Sequence, residues 1–84
     1  MYKITYLKSA VKALTKLPQP FGQRIIASMK RIAECREEGL DIKKLEGRSG
    51  YRLRMGSYRV IYEKFENELL IEVIKIGSRG DIYK

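Results

Sequence analysis

Between Gly47 and Tyr62 the chain carries four arginines, Arg48, Arg52, Arg54 and Arg59, and no acidic residue. Arginine is well matched to phosphate, because its planar fork donates two parallel hydrogen bonds and keeps its charge. Arg52 and Arg54 are two apart in a segment of strand character, so they point to one face. Leu53 and Met55 then point to the other face, where a core would want them. A tight turn at Gly56-Ser57 brings Arg54 and Arg59 close across a hairpin. Like charges facing one another destabilise a free sheet, so the cluster points to a compensating anion. The plainer alternative is a solvated strand face, where long charged side chains are common. Further on, Arg79 falls just past a strand end and Tyr83 lies in the polar tail. An aromatic near clustered arginines suits single-stranded RNA, with a base stacked while phosphates are gripped. Packing of Tyr83 on the core is the competing assignment.

Composition narrows the field. The formal net charge is +8 over 84 residues, which favours a polyanionic partner such as nucleic acid, an acidic membrane face or an acidic protein. A chain this short forms one domain, residues 1–84, with little room for an enclosed cofactor pocket. Chemistry on an open face, with no cofactor, is the expectation. Cys35 has no partner cysteine, which removes a disulfide framework and makes the reducing cytoplasm the natural compartment. Histidine is absent, so a zinc site would need unusual carboxylate ligation, and no metal is expected. No apolar run is long enough for a signal peptide or a membrane span.

The elements that must position the arginines follow from periodicity. Tyr2 to Leu7 alternates and is rich in β-branched and aromatic residues, as a strand does. From Ser9 to Leu17 the spacing turns helical, with Ala10, Ala13, Leu14 and Leu17 on one stripe. Pro18 and Pro20 end that helix and restart the chain. A second helix is expected over 21–38, with Phe21, Ile25, Met29, Ile32 and Ala33 apolar and Gly39 as terminator. Phe21, Ile25 and Met29 are assigned to the core rather than to a groove for a partner helix. Residues 40–50 read as a connector, followed by strands over 51–55, 58–65 and 68–76, the last apolar enough for a central, doubly covered strand ended by Gly77. The expected architecture is α+β, in the order β-α-α-β-β-β: a small antiparallel sheet with a helical hairpin packed on one face.

The run from Lys44 through Gly47 and Gly50-Tyr51-Arg52-Leu53-Arg54-Met55-Gly56-Ser57-Tyr58-Arg59-Val60-Ile61-Tyr62, followed by Val73 to Gly77 and Arg79-Gly80-Asp81-Ile82-Tyr83, resembles the RelE/ParE toxin superfamily over essentially the whole chain. The resemblance implies the RelE-like fold and a type II toxin neutralised by an antitoxin. In its RelE-type branch the activity is a ribosome-dependent endoribonuclease that cuts mRNA in the A site and so inhibits translation. Arg52, Arg54, Arg59, Arg79 and Tyr83 match that branch's catalytic positions, and Lys44 and Arg48 are candidates for added RNA contact. The best-studied members carry lysine where this chain has Arg52 and Arg54, and many carry histidine where it has Ser78. The general base and acid are therefore left open, with Glu46 a further candidate base. The other branch, ParE-like, shares the fold but poisons DNA gyrase by protein contact without cutting nucleic acid. An RNA-binding relative without catalysis is a third possibility. If Tyr83 stacks on a base, Tyr83→Phe keeps most of the growth arrest on induction and Tyr83→Ala loses most of it; equal arrest by wild type and Tyr83→Ala would assign the ring to packing.

Overall fold

The computed structural model describes residues 1–78. Strand β1 (Lys3–Tyr6) leads into helices α1 (Lys8–Lys16) and α2 (Gln19–Ala33). Strands β2 (Asp41–Lys44), β3 (Tyr51–Met55), β4 (Tyr58–Phe65) and β5 (Leu70–Ser78) follow, with a single 3-10 turn at Glu66–Glu68 before the last. They form one five-stranded sheet in the order β1-β5-β4-β3-β2. The α+β class and the helical hairpin on the sheet agree with the sequence reading. The sheet differs in two respects. It is mixed, because β1 runs parallel to β5. It also has an added edge strand, β2, antiparallel to β3, inside what reads in sequence as a connector. Strand β2 offers one apolar residue, Ile42, among Asp41, Lys43 and Lys44, and a charged, short strand is how proteins blunt a sheet edge.

Residues that alternate along the strands sort into two faces. Leu53, Val60, Tyr62, Ile71, Val73 and Ile76 meet Ala10, Ile25, Met29, Ile32 and Ala33 from the helices in one buried cluster. Each large side chain in it contributes about 1.5–3 kcal/mol by leaving water. The stripe read from α1 is there: Ala10 is fully buried and Ala13, Leu14 and Leu17 pack against the cluster. Pro20 lies in the first turn of α2, where a missing N–H costs nothing, so the prolines start that helix as well as stopping its predecessor. Ile25 and Met29 are core, while Phe21 is half-buried with its ring 5.1 Å from that of Tyr58.

Helix α2 stops at Ala33, five residues short of the sequence expectation. Its end is a Schellman motif: the Arg36 N–H donates to the Arg31 carbonyl at 2.8 Å and the Cys35 N–H to the Ile32 carbonyl at 3.0 Å. Cys35 takes the left-handed position usually given to glycine, with φ +59°. Gly39 serves a later turn.

Strands β3 and β4 form a two-residue hairpin, with Met55 opposite Tyr58 and Gly56 at φ +61° leading the turn, as a type II′ turn requires. Strand β5 lies between β1 and β4 and runs on through Gly77 to Ser78. It is not doubly covered: the helices bury Ile71, Val73 and Ile76, whereas Glu72 and Ile74 are half-exposed and Lys75 exposed. A β-bulge interrupts its pairing with β4, because Ile61 faces Lys75 but Tyr62 faces Val73, leaving Ile74 as the extra residue. The Ile74 carbonyl accepts a hydrogen bond from Ser9 Oγ at 3.1 Å, so the first turn of α1 supports the irregularity.

Gly50 joins the 45–50 loop to β3 with φ +116°, a conformation side chains rarely adopt, and an added Cβ would stand 3.1 Å from the Tyr62 carbonyl oxygen. Gly50→Ala is therefore expected to lower stability by about 1–3 kcal/mol, read as a lower urea midpoint at unchanged m-value.

Candidate nucleic-acid interface

The sheet face turned away from the helices holds the arginines. Register places Arg54 directly opposite Arg59 and Arg52 directly opposite Ile61, so all four share that face. On the other side of β3, Asp41 faces Arg54 and Lys43 faces Arg52. One end of the open face thus presents Lys43, Arg52, Arg54 and Arg59, with Asp41 interleaved. Lys43 and Asp41 escaped the sequence reading because β2 did; the weak signal was the alternation of Asp41-Ile42-Lys43, too short to distinguish from a connector.

The arginines are held differently. Arg59 is 7% exposed, which is rare for a charged residue. Its Nη1 donates to the carbonyls of Gly56 and Tyr58, both at 3.3 Å, so the guanidinium folds back onto its own hairpin turn. Arg52 is half-buried, and its Nη2 pairs with Asp41 Oδ1 at 3.2 Å. Asp41 is largely exposed, so this pair contributes only about 0–1 kcal/mol and is easily exchanged for another anion. The Nε atoms of both Arg52 and Arg59 are buried and find no acceptor among the described residues. A buried donor without an acceptor costs about 1–3 kcal/mol. Arg54 is exposed at the tip of the cluster.

Other sequence candidates fall around this centre. Lys44 faces Tyr51 in register and so belongs to the helix-side set, although at the strand end it borders a depression of about 170 Å³ with Lys43, Leu45, Glu46 and Arg52. Glu46 therefore lies at the rim of the cluster. Arg48 is exposed on the loop between β2 and β3 and lines a second depression. Ser78 ends β5 opposite Tyr58. Arg79 and Tyr83 lie outside the described residues.

Two described tyrosines hold their hydroxyl protons more tightly than usual. Burial, then the negative charge of Glu37 and the neighbouring Tyr51, pushes the Tyr62 hydroxyl well above its ordinary value, and burial raises that of Tyr6. Both belong to the helix side of the sheet. Among the described residues there is no cluster of three or more His, Cys, Asp or Glu placed to hold a metal ion.

The model of the ParE toxin of type II toxin–antitoxin systems, parDE, matches residues 4–83. The chain belongs to this toxin family. It is 26% identical over 87 residues to an Escherichia coli protein described as RelE-like, spanning 98% of this chain and 90% of that one. The toxin fold in the archaeal RelE–RelB complex of Pyrococcus horikoshii OT3 superposes with a TM-score of 0.79 at 35% identity, covering 95% of this chain and 97% of the other. The RelB–RelE complex of Methanococcus jannaschii gives 0.78 at 28% identity, with 93% of each chain covered. The RelE/ParE toxin fold is thus established, and with it the α+β arrangement of two helices on a mixed five-stranded sheet.

The opposed charges, and the donors without an acceptor among the described residues, set this face against the stability of the fold. Arg59→Met removes a buried guanidinium and its repulsion with Arg54 while keeping side-chain length. We expect it to raise unfolding stability by about 1 kcal/mol in urea titration. A fall in stability would mean that the Arg59 bonds to the hairpin turn outweigh its cost.

Proposed function

We propose that this toxin is a ribosome-dependent, metal-independent endoribonuclease that cuts mRNA in the ribosomal A site and thereby halts translation. The observation that carries this reading is the pair of buried Nε donors on Arg52 and Arg59 that find no acceptor among the described residues, set on one open face with Lys43 and Arg54. Such donors favour a ligand rich in anionic acceptors, and a scissile phosphate supplies them.

The reaction is an internal transfer. The 2′-oxygen of one nucleotide attacks the adjacent phosphorus, a 2′,3′-cyclic phosphate forms and the bond to the 5′-oxygen breaks. The 2′-hydroxyl proton leaves to a base, and the departing 5′-oxygen takes one up. This chemistry needs orientation and charge stabilisation above all. Arg59, fixed on its turn, and Arg52, released from Asp41, hold the phosphate and its developing charge. Arg54 stabilises the incipient 2′-alkoxide. Arg79 assists the leaving oxygen and Tyr83 stacks on a base, as the family resemblance implies. Arginine is a poor proton acceptor, so Glu46, at the rim beside Arg52, or a ribosomal group takes the first proton. Lys44 and Arg48 add contacts to the RNA backbone.

A cognate antitoxin covers the basic face when the toxin is silent. RelE relatives are held in complexes with RelB, and a +8 chain suits an acidic, partly disordered segment that folds on binding. The family match, described as ParE toxin, keeps gyrase as the competing target.

Ribosomes stalled with a defined codon in the A site, mapped by primer extension, test the proposal. We expect a cut within that codon only when ribosomes are present, and at least a hundredfold slower cutting by Arg59→Ala, on the scale of lost transition-state donors. No cut, together with inhibited DNA supercoiling, would transfer the protein to the gyrase-directed class.

A further inference from the structure

Beyond the arginines, the same sheet face changes character. Along β4, Arg59, Ile61 and Glu63 point one way at two-residue steps, so the face runs from cation to apolar to carboxylate over about 13 Å. Ile61 is only 1% exposed although it lies on the face without helices. At the β5 bulge Ile74 and Lys75 together oppose Ile61, and Ile74, two residues on from Glu72, shares that face. Ile61 and Ile74, with Arg48, Ser49 and Glu63, line a depression of about 300 Å³. Glu63 is half-buried there, accepts a hydrogen bond from Ser49 Oγ at 3.1 Å, and faces Glu72 across the ladder. The paired carboxylates of Glu63 and Glu72 disfavour an anion beside them, while Arg48 borders the same depression. A planar, apolar-faced group with N–H donors on one edge and acceptors on another suits that lining.

We infer that this depression is a nucleobase site that prefers guanine, an inference resting on the RNA-directed reading above. A phosphate on Arg52 lies directly across the ladder from Ile61, so an adjoining unstacked base falls over the half-exposed Ile74, with Ile61 buried beneath it. The Ile74 side chain covers its face, as sequence-selective RNA sites cover splayed bases. The carboxylate selects among edges. Guanine presents two parallel donors, N1–H and the 2-amino group, to the two acceptor oxygens of Glu63, and O6 and N7 to Arg48. Adenine and cytosine each place an acceptor beside their amino donor and meet the carboxylate with one bond and one repulsion. Ser49 orients the carboxylate and Ser9 holds the bulge, so both are positioning residues.

The test is equilibrium binding of the full chain, by fluorescence anisotropy, to labelled hexauridylates carrying a single guanosine, adenosine or inosine. Guanosine should bind about tenfold more tightly than adenosine, the scale of one bidentate base contact. Inosine, which lacks the 2-amino group, should lose most of that advantage with the unaltered protein. Glu63→Gln should bring guanosine to the adenosine level. Equal affinity for all three RNAs, or a guanosine preference that survives Glu63→Gln, overturns the inference. If that result comes with A-site cutting intact, only the base site fails and the isoleucines belong to a protein contact. If the protein neither binds these RNAs nor cuts on the ribosome, the RNA-directed function fails with it.

Discussion

Two arginines meet head-on across a β-ladder, and one of them is buried. Much of this structure is arranged around keeping the Arg54 and Arg59 pair in place. A lone strand would relieve the repulsion by twisting or slipping register, but a one-residue slip would turn Val60 and Tyr62 out of the core and Arg59 into it. The cluster beneath the sheet therefore fixes what the upper face would otherwise reject. Helix packing supplies the energy, the hairpin turn supplies the register, and the turn carbonyls hold the Arg59 guanidinium against its own hairpin.

This division of labour explains why the two faces can differ so sharply in chemistry. The helix side is apolar and closed, with rings stacked as in Tyr51 on Tyr62 at 5.5 Å. The open side is strongly charged and ordered by bonds that are cheap to exchange, such as the exposed Arg52–Asp41 pair. Asp41 supplies Arg52 with a carboxylate partner at 3.2 Å from the neighbouring edge strand. Placing that carboxylate on an edge strand costs the core nothing, because Ile42 alone ties the strand to the interior.

Sequence periodicity captured the parts of this architecture that repeat. Alternation and the Gly56-Ser57 turn located β3 and β4 to the residue, and with them the shared face of Arg52, Arg54 and Arg59. The α1 stripe was equally readable. What escaped has no period. Strand β2 has one inward residue, so its pattern is lost among the charges around it. The end of α2 rests on a cysteine in a left-handed conformation, which carries no compositional flag. A bulge at Ile74 resets the alternation, so that Ile76 and not Lys75 follows Val73 into the core, and nothing in the run announces it. The parallel partnership of β1 and β5 is a decision made between distant segments, invisible to any local window.

That partnership also governs when the molecule can exist at all. Lys3 lies opposite Leu70, so the first strand has no ladder to join until the last has been made. Helix α1 leans on the same late strand, through Ser9 on the Ile74 carbonyl. Such long loops close slowly. On a nascent chain the arginine hairpin of β3 and β4 therefore precedes the finished sheet, and β1 and α1 find their places only once synthesis has passed β5.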